Sequence, residues 1–230
     1  MDKKEHFRHE LKYEINYENY LILRQRLRYV MKPDVHTGSD GCYRIYSIYF
    51  DNMNDKALRE KINGVLGREK FRIRYYNNDF SYIMLEKKRK DNYLCRKYAA
   101  ALTEAECRDI LSQNTKWMLR HKEPLIRELY VKMQYQRLRP RIMVSYFREP
   151  YIFKAGNVRI TFDSDIRTSL YQFPCLGMGA HSILAADTPQ TIILEVKYDD
   201  FLPEIISTLL QMNGIYRQAF SKYGISRRFG

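Results

Sequence analysis

The sequence of 230 residues has only four cysteines and five histidines, and neither set has the spacing of a metal or redox motif. No two cysteines form a CxxC pair, and no His/Cys cluster has zinc spacing. We therefore expect reduced thiols in a cytoplasmic protein, and histidines without a catalytic role. The residues concerned are Cys42, Cys95, Cys107 and Cys175, and His6, His9, His36, His121 and His181.

Long apolar runs are also missing. The first residues, Met-Asp-Lys-Lys-Glu-His, are not followed by the apolar segment of a signal peptide. No stretch approaches the ~18 apolar residues of a membrane span, so we expect no transmembrane segment. No linker or low-complexity segment is evident, which predicts a single domain over residues 1–230.

Acidic residues are scarce relative to basic ones. Lys and Arg total 40 against 27 Asp and Glu, a net charge of +13. Such an excess favours anionic partners: phosphates, nucleic acid or an acidic membrane surface. Twenty tyrosines and eleven phenylalanines against one tryptophan favour a strand-rich protein.

One basic stretch contains three alternating cations without an acid among them. In a β-strand over residues 69–76, Lys70, Arg72 and Arg74 share one face. The alternate residues, Phe71, Ile73 and Tyr75, point to the other face. A row of like charges calls for a polyanion opposite, although a solvated basic face is an equally valid interpretation at this point.

Alternating and β-branched patterns predict about eight strands, mostly joined by hairpin-length turns, with helices inserted between them. An α+β fold follows: an antiparallel barrel or strongly curved sheet with helices packed outside. The region 141–154 reads as two short strands divided near Pro150. The other predicted strands are 6–15, 42–50, 69–76, 80–90, 93–99, 158–164 and 191–198, and the longer helices are 17–31, with Asn16 as N-cap, and 122–138.

A Glu-x-Lys pattern recurs on three of these strands, at Glu10, Glu86 and Glu195. If the charged faces turn inward, the interior must be wet and must bind a multiply charged anion, because unpaired buried charges are costly. The three carboxylates are then candidates for Mg²⁺ or Mn²⁺. Alternatively, the pairs are exposed cross-strand ion pairs of little energetic value. The inward cations would be Arg8, Lys12, Lys70, Arg72, Arg74, Lys88, Lys90, Arg159 and Lys197.

An ordered set of short motifs resembles the triphosphate tunnel metalloenzymes, and within them the VTC domain, a polyphosphate polymerase. The resemblance spans nearly the whole chain. The motifs are Arg8-His-Glu-Leu-Lys12, Tyr49-Phe-Asp51, Lys70-Phe-Arg-Ile-Arg74, Leu85-Glu-Lys-Lys88, Ser145-Tyr-Phe-Arg148, Val158-Arg-Ile-Thr-Phe-Asp163, Leu194-Glu-Val-Lys197 and Phe220-Ser-Lys-Tyr223.

The resemblance implies a closed antiparallel barrel of eight strands with helices outside, and roles for particular residues. Glu195 would ligate the catalytic Mn²⁺ or Mg²⁺, with Glu10 assisting. Tyr146 matches a tunnel-lining tyrosine, Arg96 stands near a further basic position, and Ser221 lies in the last motif; we expect these to contact substrate, together with Arg8, Lys70, Lys90 and Lys197. The residues expected to bind the reacting phosphates are Lys12, Arg72, Arg74, Lys88, Arg148, Arg159 and Lys222.

The implied activity is transfer of the γ-phosphate of ATP to a growing polyphosphate chain, with phosphate, pyrophosphate or polyphosphate as acceptor. One departure is Ala219 where the family often has lysine. Alternatives are a hydrolase of tripolyphosphate or thiamine triphosphate, and a non-catalytic polyphosphate-binding module. A nucleic-acid binder is less expected, because evenly spaced cations on strands do not suit surface wrapping. The sequence predicts no oligomeric state.

Overall fold

The computed structural model describes residues 8–91, 94–170, 184–185, 191–212, 217 and 220–227. These residues group into two compact units. Unit 1 contains the described residues of ranges 1–44, 146–166 and 187–221, and unit 2 those of ranges 45–145, 167–186 and 222–230.

The secondary structure consists of strands and shorter helical segments. The strands are β1 (His9–Ile15), β2 (Lys32–Pro33), β3 (Tyr43–Asp51), β4 (Arg68–Tyr76), β5 (Asp79–Asp91), β6 (Leu94–Leu102), β7 (Arg139–Phe153), β8 (Val158–Leu170), β9 (Leu184–Ala185) and β10 (Ile192–Tyr198). The α-helices are α1 (Tyr17–Val30), α2 (Lys56–Ile62), α3 (Glu104–Leu111), α4 (Pro124–Tyr135), α5 (Glu204–Leu209) and α6 (Lys222–Ser226), and two 3-10 helices span Lys116–Arg120 and Ala155–Asn157.

In unit 1, strand β10 lies between β1 and β8 and pairs antiparallel with both. Its even-numbered residues, such as Leu194 and Val196, are buried in an apolar cluster with Leu23 and Leu27 of α1. The predicted N-cap of α1 is confirmed, because the Asn16 side chain accepts a hydrogen bond from the backbone N–H of Asn19 at 2.8 Å. The odd-numbered residues of β10 are therefore on the opposite face, where the charged side chains lie.

In unit 2, strands β3, β4, β5 and β6 pair antiparallel in that order. The predicted alternation of β4 is confirmed: Phe71, Ile73 and Tyr75 are buried in an apolar cluster that includes Ile126 and Leu129 of α4. That burial fixes the register, since a slip by one residue would place Arg72 and Arg74 in the apolar core.

The prediction of an antiparallel, strand-rich α+β fold with helices is confirmed. The division of 141–154 into two strands is wrong, because β7 runs without interruption through Pro150. A proline lacks only the N–H donor, and its carbonyl still accepts, here from the Asp34 N–H at 3.1 Å.

Within the described part of the chain, no helix combines the length and the apolarity that a membrane crossing requires. Cys42, Cys95 and Cys107 are free thiols. Cys175 lies outside the described residues.

Candidate active site

Unit 1 carries a group of charged side chains that we call the Glu195 cluster: Glu10, Lys12, Arg148, Asp163, Glu195 and Lys197. The β1–β10 register places Lys12 opposite Glu195 and Glu10 opposite Lys197. Lys12 Nζ lies 2.9 Å from Glu10 Oε1 and 3.5 Å from Glu195 Oε1. Lys197 Nζ lies 3.2 Å from Glu195 Oε2. Acid and base of both Glu-x-Lys motifs are therefore in contact, as the shared face predicted.

Arg148 joins this cluster from β7. Its Nε and Nη2 donate to the two carboxylate oxygens of Asp163, each at 2.7 Å, and its Nη2 also lies 3.4 Å from Glu195 Oε2. The guanidinium carbon stands 5.4 Å from the centre of the Tyr146 ring. A planar guanidinium held on two sides has a fixed orientation, as recognition of a phosphate requires.

Burial and charge act in opposite directions on the groups of this cluster. Burial raises the pKa of Glu195, but a hydrogen bond shared with Glu10 and the charges of Lys197, Lys12 and Arg148 outweigh it and hold that pKa well below its usual value. Burial lowers the pKa of Lys197 to about 8, with Glu195 opposing and Arg148 reinforcing the shift. Glu195 is thus an ionised carboxylate near neutral pH, although only 5% of the residue is exposed.

The alternative of exposed ion pairs does not describe these acids, because Glu86 and Glu195 are each only 5% exposed. Among the residues that the structure describes, no group of three or more His, Cys, Asp or Glu has metal-binding geometry. Glu195 with the adjacent Glu10 fits an ion that takes one or two protein carboxylates and completes its shell with phosphate oxygens and water, as Mg²⁺ commonly does. Thr161, paired with Glu195 across β8 and β10, has a buried hydroxyl without a hydrogen-bond partner in the described structure, so this face retains an unused polar group.

Two predicted residues of unit 1 bind elsewhere. Arg159 Nη2 lies 3.0 Å from Asp34 Oδ2 and donates to the Tyr43 hydroxyl at 3.0 Å. Arg8 Nη2 donates to the Asn157 carbonyl at 2.9 Å. The alternation along the strands predicted that Arg8 and Arg159 lie on the charged face. Their partners are distant in sequence and were not predicted.

Unit 2 carries a second group, the Glu86 cluster: Ser47, Tyr49, Arg72, Arg74, Glu86 and Lys97. Arg72 lies opposite Glu86 in the β4–β5 register, and its Nε donates to Glu86 Oε2 at 2.6 Å. Arg74 Nη1 lies 3.8 Å from the same oxygen, and Lys97 forms an ion pair with Glu86 Oε1. The Glu86 carboxylate therefore contacts three cations.

The Tyr49 hydroxyl lies on the same face, on β3. Arg72 Nη1 donates to it at 3.4 Å, and Arg74 Nε donates to Ser47 Oγ at 3.4 Å. Burial raises the pKa of Tyr49, but the charges of Arg72, Arg74 and Lys222 bring it down to about 8. The pKa of Glu86 falls to about 2, because Arg72, Arg74 and Lys97 outweigh the effect of burial.

Two residues of the last motif, Lys222 and Tyr223, belong to unit 2 and lie close to this cluster. Lys222 is the first residue of α6, and its charge acts on Tyr49. Lys70 Nζ stands 5.1 Å from the centre of the Tyr223 ring, and the Tyr223 hydroxyl donates to Asp51. Ser221 is partly buried immediately before α6. The charges of Lys70 and Lys222 thus both act on Tyr49 or are acted on by it.

The β5–β6 register separates Lys97 from Arg96. Lys97 pairs with Lys88 and contacts Glu86, whereas Arg96 pairs with Arg89, one position out of phase. Neighbouring residues of a strand point to opposite faces, so Lys97, and not Arg96, lies on the face of the Glu86 cluster. Lys88 and Lys90 share the Lys97 face.

Four residues of these clusters were given no role by the sequence analysis: Ser47, Tyr49, Lys97 and Asp163. Tyr49 and Asp163 belong to motifs that carried the family resemblance. The position of Lys97 can be deduced from the hairpin in which Asp91 pairs with Leu94. Counting back along this hairpin pairs Lys88 with Lys97, so a correct β5–β6 register would have predicted that Lys97 lies on the charged face.

Comparison with known proteins gives one family and a set of related folds. The model of the VTC domain family matches residues 7–229. The chain is similar to a Hippeastrum protein named for adenylyl cyclase and described as having a dominant triphosphatase activity, with 13% identity, a TM-score of 0.54, and coverage of 96% of this chain and 95% of that one. This likeness shows a shared fold.

The chain is also similar to two further solved structures. A Bacillus halodurans protein named for adenylate cyclase is 10% identical, with a TM-score of 0.49 and coverage of 92% and 88% of the two chains. A Pyrococcus horikoshii protein is 13% identical, with a TM-score of 0.47 and coverage of 96% and 100%. The curated proteins contain no match to the chain.

Proposed function

The chain belongs to the VTC domain family, and on this premise we propose that it is a polyphosphate polymerase that uses ATP and depends on Mn²⁺ or Mg²⁺. It transfers the γ-phosphate of ATP to phosphate, pyrophosphate or the end of a growing polyphosphate chain. In this proposal the strands close into the eight-stranded antiparallel barrel that the family resemblance implies.

The observation that carries the proposal is the buried, ionised Glu195 surrounded by three cations. Lys12, Arg148 and Lys197 each contact it within 3.5 Å. Cations held this closely around a single carboxylate supply donors for phosphate oxygens as charge develops during phosphoryl transfer. In unit 2, Arg72, Arg74 and Lys97 stand around Glu86 in the same way, which supports phosphate binding there too.

Glu195 and Glu10 would hold the divalent ion, which supplies charge neutralisation on the phosphates when bound. Lys12 contacts both carboxylates and would keep them together. Burial lowers the pKa of Lys12, but Glu195 and Glu10 outweigh it and the net shift is upward, so this lysine stays charged. Arg148, oriented by Asp163, would position a phosphate beside the ion.

Chain extension needs no general base, because the attacking phosphate oxygen is already anionic. Neither cluster contains a histidine, among the contacts described, which suits a reaction that depends on positioning and charge. A non-catalytic polyphosphate-binding module would need the cations but not a low-pKa carboxylate such as Glu195.

Triphosphate hydrolysis is the second candidate, and Tyr49 is the observation that favours it. A hydrolase must position and deprotonate a water molecule. A partly buried phenol with a pKa of about 8, beside Arg72, is chemically suited to that task.

The experiment that tests the proposal incubates the purified chain with ATP and Mn²⁺ and resolves the products on a gel that displays polyphosphate ladders. A ladder is the expected result. Release of orthophosphate without a ladder would identify the hydrolase, and tight polyphosphate binding without either product would identify the binding module.

A further inference from the structure

The short helix α6 is attached to the turn between β3 and α2 by two side chains of its own. The Tyr223 hydroxyl donates to Asp51 Oδ2. Arg227 Nη2 donates to both carboxylate oxygens of Asp55, at 2.7 and 2.8 Å. The Arg227 N–H donates to the Tyr223 carbonyl at 3.2 Å, so the two side chains are one helical turn apart and lie on the same side. All four residues belong to unit 2.

The Asp51 carboxylate is a rigid anchor for this attachment, because the backbone holds it from several directions. Its Oδ1 accepts from the N–H groups of Asn52 and Ala57, each at 2.9 Å, and its Oδ2 accepts from the Leu58 N–H at 3.2 Å. Only 1% of Asp51 is exposed. The oxygen that accepts from Tyr223 is therefore fixed by the end of β3 and the first turn of α2.

Helix α6 needs such an anchor, since a helix of five residues is not stable by itself. Burial of Tyr223 and Ile225 stabilises its contact with the rest of the protein, but apolar burial is not directional. The hydrogen bonds to the two aspartates are directional. Burial raises the pKa of Tyr223 and the hydrogen bond to Asp51 raises it further, so the phenol keeps the proton that it donates.

The residue whose position this attachment determines is Lys222, the first residue of α6. The ring of the adjacent Tyr223 lies 5.2 Å from the Tyr49 ring, centre to centre. Burial raises the pKa of Tyr49, and the charge of Lys222 is among those that, with two arginines, bring it down to about 8. Lys222 therefore acts on the Glu86 cluster from a helix that Tyr223 holds in place.

We propose that Tyr223 and Arg227 are positioning residues that hold Lys222 beside the Glu86 cluster, where it binds a phosphate of the triphosphate substrate. They act through their bonds to Asp51 and Asp55 and do not touch the substrate themselves. This inference rests on the proposed function. It requires that loss of either attachment weakens triphosphate binding no more than loss of Lys222 does.

The test compares Y223F, K222A and the double variant K222A/Y223F in the full chain. Y223F removes the hydroxyl that reaches Asp51 and keeps the ring. The matched control is Y75F, which removes a buried hydroxyl from the apolar face of β4. KM and kcat are measured with ATP and Mn²⁺. The pKa of Tyr49 is measured without substrate or metal, from the difference in tyrosinate absorbance between each protein and the same protein carrying Y49F.

We expect Y223F to raise KM for ATP about tenfold and to keep kcat within about threefold, as for loss of one charged contact that holds the substrate before and during reaction. Tyr49 should titrate at a higher pH, because a cation that favours the phenolate has moved away. K222A should produce both changes. Since Tyr223 acts through Lys222, the double variant should resemble K222A, and Y75F should resemble the wild type.

Arg227 supplies a second variant at the other end of α6, which decides the matter if Y223F does not fold. R227A should raise KM for ATP and the pKa of Tyr49 in the same direction as Y223F. Asp55 would keep a cation nearby, because Arg141 Nε lies 3.8 Å from its Oδ1. R227K retains a positive charge that can bind Asp55, so it should restore both values toward those of the wild type.

An unchanged Tyr49 titration in folded Y223F and R227A would overturn the positioning role, because Lys222 would then not depend on either attachment. Effects of Y223F and K222A on KM that multiply in the double variant would overturn it as well. The titration needs no turnover. If the wild type made no polyphosphate, the proposed function would fail while the titration still showed whether Tyr223 positions Lys222.

Discussion

Asp163 holds the guanidinium of Arg148 with two parallel hydrogen bonds of 2.7 Å, and none of its own surface is exposed. The two residues come from neighbouring strands, β7 and β8, on the charged face of unit 1. Asp163 fixes the orientation in which Arg148 reaches Glu195, so the arginine is placed before any substrate binds.

Replacing Asp163 by alanine should lower the free energy of unfolding by about 3 kcal/mol, because it removes both short hydrogen bonds of the buried Arg148 guanidinium and leaves only its 3.4 Å contact with Glu195. Urea unfolding measures the loss. D199A is the control, since Asp199 forms a partly exposed ion pair with Arg8 at 3.6 Å and accepts an exposed hydrogen bond from Asn157 Nδ2 at 2.9 Å, and their loss should cost about 1 kcal/mol. Equal costs for the two variants would show that the buried pair does not hold Arg148 in place.

The free energy of unfolding should decrease in acid partly because Glu86 becomes protonated. Its pKa is about 2 in the folded protein, below its ordinary value of 4.5, so its ionised form stabilises the fold. That stabilisation is fully present above about pH 4.5 and is lost as the pH falls toward 2. This lowering of the Glu86 pKa corresponds to at most about 3 kcal/mol of stability.

The E86Q variant lacks the stabilising charge of Glu86. Its free energy of unfolding should therefore be lower than that of the wild type at neutral pH, and the difference between the two proteins should shrink in acid. Urea titrations at several pH values measure it. A difference that stays constant from neutral pH down to about pH 2 would contradict the role of the Glu86 charge.

The sequence predicted the charged and apolar faces of individual strands well, because alternation in β4 and β10 depends only on local residue order. It did not predict which side chains meet across the strands. Arg159 and Asp34 are 125 positions apart, and nothing local indicates their contact. Arg96 was preferred to Lys97 because the match to the family was made by motif, whereas the face is decided by the β5–β6 register.

Phosphate binding by unit 1 should weaken as the pH rises through about 8, because Lys197 then loses its charge. The sign follows from the downward shift: the protonated lysine is the binding form, and it is present below its pKa. In K197R the positive charge persists, since arginine does not deprotonate in this range, and binding should be retained to about pH 10. Calorimetric titrations with tripolyphosphate at increasing pH test this, and identical pH profiles for wild type and K197R would exclude Lys197 as the group responsible.

Tyr49→Phe separates polymer synthesis from hydrolysis. Since a phosphate acceptor needs no base, we expect polymer formation by Y49F to stay within about threefold of the wild type. If the chain were a hydrolase with Tyr49 as its base, orthophosphate release would fall about 10²–10⁴-fold. Both products are measured in one reaction with labelled ATP, and Y46F, a tyrosine of the same strand β3, is the control.

Glu195→Gln is the most direct test, because it removes one charge at the centre of the Glu195 cluster with little change in side-chain size. Polyphosphate synthesis from ATP and Mn²⁺ and binding of polyphosphate without metal are measured on the same protein. We expect E195Q to lose synthesis by at least a hundredfold while retaining binding, as expected for loss of the transition-state charge stabilisation that Glu195 organises. Wild-type synthesis by a folded E195Q would contradict the assignment of Glu195 to the active site.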